Sequence, residues 1–121
     1  VPDGGLSWLL VSQIGYRHAF QLSIESERID AVRCVELGLA NKLFPADSLR
    51  EDTVEWAKAI AERAPLSLAA SKKTMRHATS GSWASTFDLE ASLQKVLRQS
   101  EDCAEGVAAF FEKRKAEFKG K

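Results

Sequence analysis

Two cysteines, three prolines and one methionine are all that this chain of 121 residues holds of those types, and each shortage excludes something. Cys34 and Cys103 are too few for a disulfide framework, and no C-x-x-C pair or Cys/His spacing points to zinc, so no metal site is expected. Free thiols make a reducing, cytoplasmic compartment the default expectation. No apolar run approaches the ~20 residues of a membrane span. No basic-then-apolar opening suggests a secretory signal. The first residue is Val1 rather than methionine, which leads us to expect a truncated chain.

An excess of charge is also missing. Lysine plus arginine equal aspartate plus glutamate at 17 each, which argues against a nucleic-acid surface. The signs are nevertheless segregated. The last ten residues, Glu112 to Lys121, carry five bases and two acids, enough to serve one phosphorylated small molecule. With 45% hydrophobic and 28% charged residues, the composition is that of an ordinary globular protein, long enough for one small domain.

The apolar spacing is helical almost throughout. After a Val1-Pro2-Asp3-Gly4-Gly5 turn, Leu6 to Val11 opens a helix that Gly15 ends, and a second runs from Tyr16 to about Ser26. Asp30 caps a short helix over Ala31–Leu37 that Gly38 stops. Leu39–Phe44 reads as a brief extended piece halted by Pro45. Asp47 or Ser48 caps a helix bearing Leu49, Trp56 and Ile60. Pro65 opens the next, which Ser80-Gly81 breaks. Ser82 caps a helix from Trp83 to Leu97 whose apolar residues cover more than half its circumference. A last helix starts at Ser100, or at Asp102 as the better cap, and continues to Phe118. The prediction is an all-α chain of about six to seven helices.

Three stretches together resemble one known family. Val1-Pro2-Asp3-Gly4-Gly5 before an apolar helix is similar to the segment after the catalytic loop of crotonase-fold enzymes. Arg28-Ile29-Asp30-Ala31 through Glu36-Leu37-Gly38-Leu39 to Phe44 resembles the family's R-I-x-A and G-L-V stretch. Asp102 and Glu105-Gly106 through Phe110 to Lys113-Arg114 resemble its terminal D-x-x-E-G-x-x-A-F-x-E-K-R signature, and Pro65 with Lys72 falls on its P-x-x-x-x-x-x-K helix. One departure is Ser26, where relatives usually carry glycine.

The resemblance covers the whole chain and implies that residues 1–121 are the helical, C-terminal, oligomerisation region of an enoyl-CoA hydratase/isomerase. The ββα-spiral N-terminal half, with its oxyanion hole and catalytic glutamates, would lie outside this sequence. The chain alone should then be inert, and the intact enzyme should be a trimer-based homo-oligomer acting on an acyl-CoA, with no cofactor and no nucleic-acid or membrane partner. In that frame Asp3 occupies the position of a catalytic carboxylate in isomerase and dehalogenase relatives. Phe110 and Lys113 occupy positions that reach the adenine and 3′-phosphate of CoA.

Each assignment has a plainer alternative. Asp3 could cap the first helix. Lys113 could complement the dipole of a solvated helix end. Arg114 and Lys115 are expected to face water, Glu90 and Glu105 to be paired or solvated, and His18 and His77 to serve surface or packing roles. Cys34 reads as a small buried hydrophobe. A different class of function, a non-catalytic helical oligomerisation module of the same descent, fits the same residues.

Overall fold

The computed structural model describes residues 2–26 and 28–121; Val1 of the opening turn, and Glu27, lie outside them. All regular structure among the described residues is helical, in six elements: α1 (Leu6–Glu25), α2 (Ala31–Glu36), α3 (Leu49–Ala61), α4 (Pro65–Ala78), α5 (Trp83–Leu97) and α6 (Glu101–Glu112). The chain forms two compact units, residues 1–49 and 50–121.

In the first unit, α1 carries the two predicted helices end to end. Gly15, at φ 76° and ψ 161°, breaks the helical geometry between them, a conformation open to glycine because no Cβ meets the following carbonyl. Ser26 closes α1 with φ 52°, its N–H donating to Leu22 O. Serine thus stands in the left-handed region where glycine is favoured, so the departure noted in the sequence falls at a position with a backbone cost. Asp30 caps α2 by accepting the Arg33 N–H at 2.7 Å, as predicted. The extended piece expected over Leu39–Phe44 makes no strand; residues 42–45 have no regular structure, since no second strand is available to pair with them. Cys34 is half-buried rather than buried.

In the second unit, α4 and α5 are the elements that pack against each other. Pro65 sits in the first turn of α4, and Ser82 caps α5 by accepting the Ser85 N–H. Between them His77 Nε2 lies 3.1 Å from Ser85 Oγ, which gives this histidine a packing role at the turn. The last helix begins at one of the two expected caps and ends earlier than expected. Ser100, not Asp102, is its cap, accepting the Cys103 N–H at 3.0 Å, and it stops at Glu112 instead of continuing to Phe118. Asp102 is displaced from capping by a stronger demand, the bonds it makes to the terminal tail.

Helical periodicity has not produced a helical core. Among the described residues, Ala19 and Ala109 are the buried apolar ones, while Trp83, Phe110 and Phe111 are 77–80% exposed. The helix α5, which the sequence suggested would be buried over most of its circumference, has no buried residue. Even two separate compact globules of these sizes would expose only about 7,700 Å² together; this chain exposes 9867 Å².

The left-handed serine yields a direct test. A non-glycine residue in that region costs about 1–2 kcal/mol. Ser26→Gly is expected to stabilise the protein by about 1 kcal/mol, part of the gain being offset by the greater freedom of glycine in the unfolded chain. Urea denaturation at equilibrium checks it, and an unchanged or lower midpoint would contradict it.

Candidate functional site

The residues singled out by sequence lie at the two ends of the chain, Asp3 in the first unit and Phe110 and Lys113 in the second. Asp3 precedes the left-handed Gly4 and Gly5, at φ 57° and 86°. These two positions turn the chain so that Asp3 O accepts the Leu6 N–H at 2.9 Å. The Asp3 side chain is exposed, and the N-cap of α1 is Gly5, with no side-chain capping bond. The capping alternative for Asp3 is therefore set aside: the backbone of the turn starts the helix, leaving the carboxylate for other work.

Phe110 and Lys113 lie one turn apart at the end of α6. Phe110 packs edge-on against Phe111, ring centres 5.7 Å apart, and lines an open groove of about 710 Å³ between α4, α5 and α6. Glu90 also lines this groove. Lys113 ends α6 in the left-handed region, φ 55° and ψ 37°. Its N–H donates to Phe110 O, and the Arg114 N–H reaches back to Ala109 O at 3.1 Å. That pair of bonds is the Schellman ending, in which glycine usually occupies the position of Lys113. The Lys113 side chain is exposed.

Beyond Lys113, Arg114 and Lys115 are exposed, as expected, and both are also ion-paired. Arg114 grips Glu105 with both terminal nitrogens, at 2.6 and 2.9 Å, and also bonds Glu112. Lys115 pairs with Glu62 at 2.8 Å. Glu105 also accepts the Glu117 N–H at 2.8 Å. Asp102, 4% exposed, accepts the Lys119 and Gly120 N–H groups at 2.6 and 2.8 Å. Two carboxylates one turn apart on α6 thus bind the tail back along the helix. The sequence pointed only to ion pairing at Glu105. The tail partners lie 9 to 18 residues away, beyond any helical spacing, and so left no periodic signal.

The electrostatics follow from that geometry. Hydrogen bonding to Arg114, then to the Glu117 N–H, lowers the Glu105 pKa to about 2, and the same pair raises that of Arg114. The Lys115 ammonium lowers that of Glu62. Among the described residues, no group of three or more His, Cys, Asp or Glu side chains could hold a metal ion. His18 is exposed and turned to its own helix, Nδ1 3.3 Å from Ile14 O.

A family described as enoyl-CoA hydratase/isomerase matches residues 1–121. The chain belongs to that family. It is 30% identical over 121 residues to a 2,3-dehydroadipyl-CoA hydratase of Escherichia coli, covering all of this chain and 48% of that protein. It is 32% identical to a trans-2-decenoyl-acyl-carrier-protein isomerase of Streptococcus mutans, covering 99% of this chain and 46% of the relative. The solved structure of an enoyl-CoA hydratase subunit from Geobacillus kaustophilus matches with a TM-score of 0.95 at 32% identity, over 99% of this chain and 47% of that one. The chain spans about half the length of the curated relatives it matches. Among the described residues, no helix is long and apolar enough to cross a membrane.

The clamp on Glu105 has a pH signature. Because its pKa is lowered in the fold, the ionised Glu105 contributes fully above about 4.5, and that contribution is lost as pH falls through about 2. Carboxyl-carbon NMR of the protein should show Glu105 still ionised at pH 4 and titrating near 2. A midpoint at the ordinary glutamate value would show that Arg114 does not hold it.

Proposed function

We propose that this chain is the helical half of an enzyme that hydrates or isomerises an enoyl thioester of coenzyme A, and that it is inert by itself. The observation that carries the reading is a mismatch. The whole chain fits the family yet spans half the length of its relatives, and its helices leave large apolar side chains uncovered. A contiguous bare apolar surface is costly in water and marks a face that another part of a protein covers.

In that reading the other half supplies two backbone N–H groups to the thioester carbonyl. The carbonyl oxygen gathers negative charge as a proton leaves carbon or as water adds, and preset donors stabilise that charge. In isomerisation one carboxylate takes the proton and a second acid returns it at another carbon. Asp3, exposed beside a glycine turn and free of capping duty, is suited to be one of those groups. No electrons change hands, so the reaction needs no redox cofactor. Phe110 and Lys113 would meet the nucleotide end of CoA, the ring against adenine and the ammonium at a phosphate. Subunits would associate as trimers through the helical surface.

Joining this chain to its N-terminal half should give hydratase or isomerase activity toward enoyl-CoA substrates, with none from the 121 residues alone. Activity in the isolated chain, or none in the full-length protein, would refute the reading. In the full-length enzyme, Asp3→Asn is expected to reduce dienoyl isomerisation at least tenfold more than simple hydration, the scale of one proton-transfer group. Equal losses, or none, would remove Asp3 from the mechanism.

The bare surface also favours a second reading, a non-catalytic oligomerisation module of the same descent. It predicts that the chain associates with itself or a partner and that the full-length protein leaves enoyl-CoA unchanged. Sedimentation and the same assays separate the two.

A further inference from the structure

Lysine stands where the backbone asks for glycine. At the end of α6, Lys113 holds φ 55° inside a Schellman ending, and such strained residues persist only where their surroundings over-determine them. The surroundings here are unusually complete. On one side lies the helix itself. On the other, the next seven residues are tied to α6 at four points: Arg114 to Glu105, the Glu117 N–H to Glu105, and the Lys119 and Gly120 N–H groups to Asp102. A fifth tie, the Asp102 N–H to Lys121 O at 3.1 Å, closes the loop. Phe118 lies over Gly106, where an added Cβ would come within 3.4 Å of the ring. The tail therefore has one place to go, and Lys113 is the corner at which it turns.

We propose that Asp102, Glu105 and Arg114 are positioning residues. By latching the tail to α6 they hold Lys113 in its left-handed conformation and aim its ammonium, beside the exposed Phe110 ring, at a phosphate monoester. Of the cations in this stretch, Arg114 and Lys115 are committed to carboxylates, whereas Lys113 is exposed and has no ion pair among the described residues. Of the three adjacent cations Lys113, Arg114 and Lys115, the latch takes up Arg114, Glu62 takes up Lys115, and Lys113 is the one left for a ligand. Asp102 is suited to the task because it is buried and accepts two backbone N–H groups, bonds that survive any change of side chain in the tail. The assignment rests on the CoA reading above, which supplies the phosphate.

The test uses the full-length protein, with CoA and dephospho-CoA (which lacks the 3′-phosphate) as probes in calorimetry and amide exchange as the structural readout. The parent should bind CoA more tightly than dephospho-CoA, and Lys113→Ala should abolish that preference. Asp102→Asn puts an amide N–H where a carboxylate oxygen accepted. It should expose the Lys119 and Gly120 amides to exchange and weaken CoA about three- to tenfold, the cost of leaving a long side chain to be ordered by the ligand. Dephospho-CoA affinity should change less than twofold. Glu105→Gln, a milder surface change, should act in the same direction if Asp102→Asn fails to fold. The Ser26→Gly variant, in the other unit, should leave both affinities alone. If the tail amides stay protected in both variants, or if they exchange while the preference for CoA is kept, the latch has no positioning role. If the parent binds neither probe, the CoA reading fails and this assignment falls with it.

Discussion

Six amphipathic helices whose buried apolar side chains, among the described residues, are two alanines cannot take their stability from a core of their own. Burial of large apolar side chains is the dominant favourable contribution to folding, and here those side chains are present but uncovered. This shortage explains why two small units form. Each collects what local helix formation, capping and short turns can supply, and the apolar faces of α4, α5 and α6 remain uncovered. The groove lined by Phe110, Phe111, Val107 and Met75 is a product of that arrangement, not a ligand cavity closed on all sides.

Where hydrophobic burial is scarce, polar ties carry more of the specificity. Asp102 is the clearest instance, being buried and saturated by backbone donors. Glu105 adds a bidentate pair in which charge assistance and geometry reinforce each other. Together they turn nine residues that could have continued α6, or trailed into solvent, into a strap along it. The strap also explains why α6 ends at Glu112 although the basic run Lys113-Arg114-Lys115 would suit a longer helix.

The same accounting separates the two ends of the chain. Asp3 has a free carboxylate because the turn before α1 is made by glycine backbone and needs no side-chain cap. Lys113 has a free ammonium because its neighbours take up the nearby carboxylates. In each case availability follows from what adjacent residues do.

Helix positions were legible from the sequence because their causes are local. Asp30, Ser82 and Pro65 start helices through bonds and torsions made within four residues, and Gly15 breaks one through its own φ. The resemblance to the family was legible too, since its motifs run along the chain. Burial was not. Periodicity shows that α5 has an apolar face, but whether anything covers it depends on atoms the helix does not contain. The role of Asp102 was likewise hidden: its place before Cys103 favoured a cap, and only the return of Lys119 and Gly120 across 17 and 18 residues drew it away. Sequence determined where the helices form and which family they serve, because those follow from short-range geometry. Tertiary structure decided which charges are spent on holding the tail and which remain free, because that depends on groups distant in the chain meeting in space.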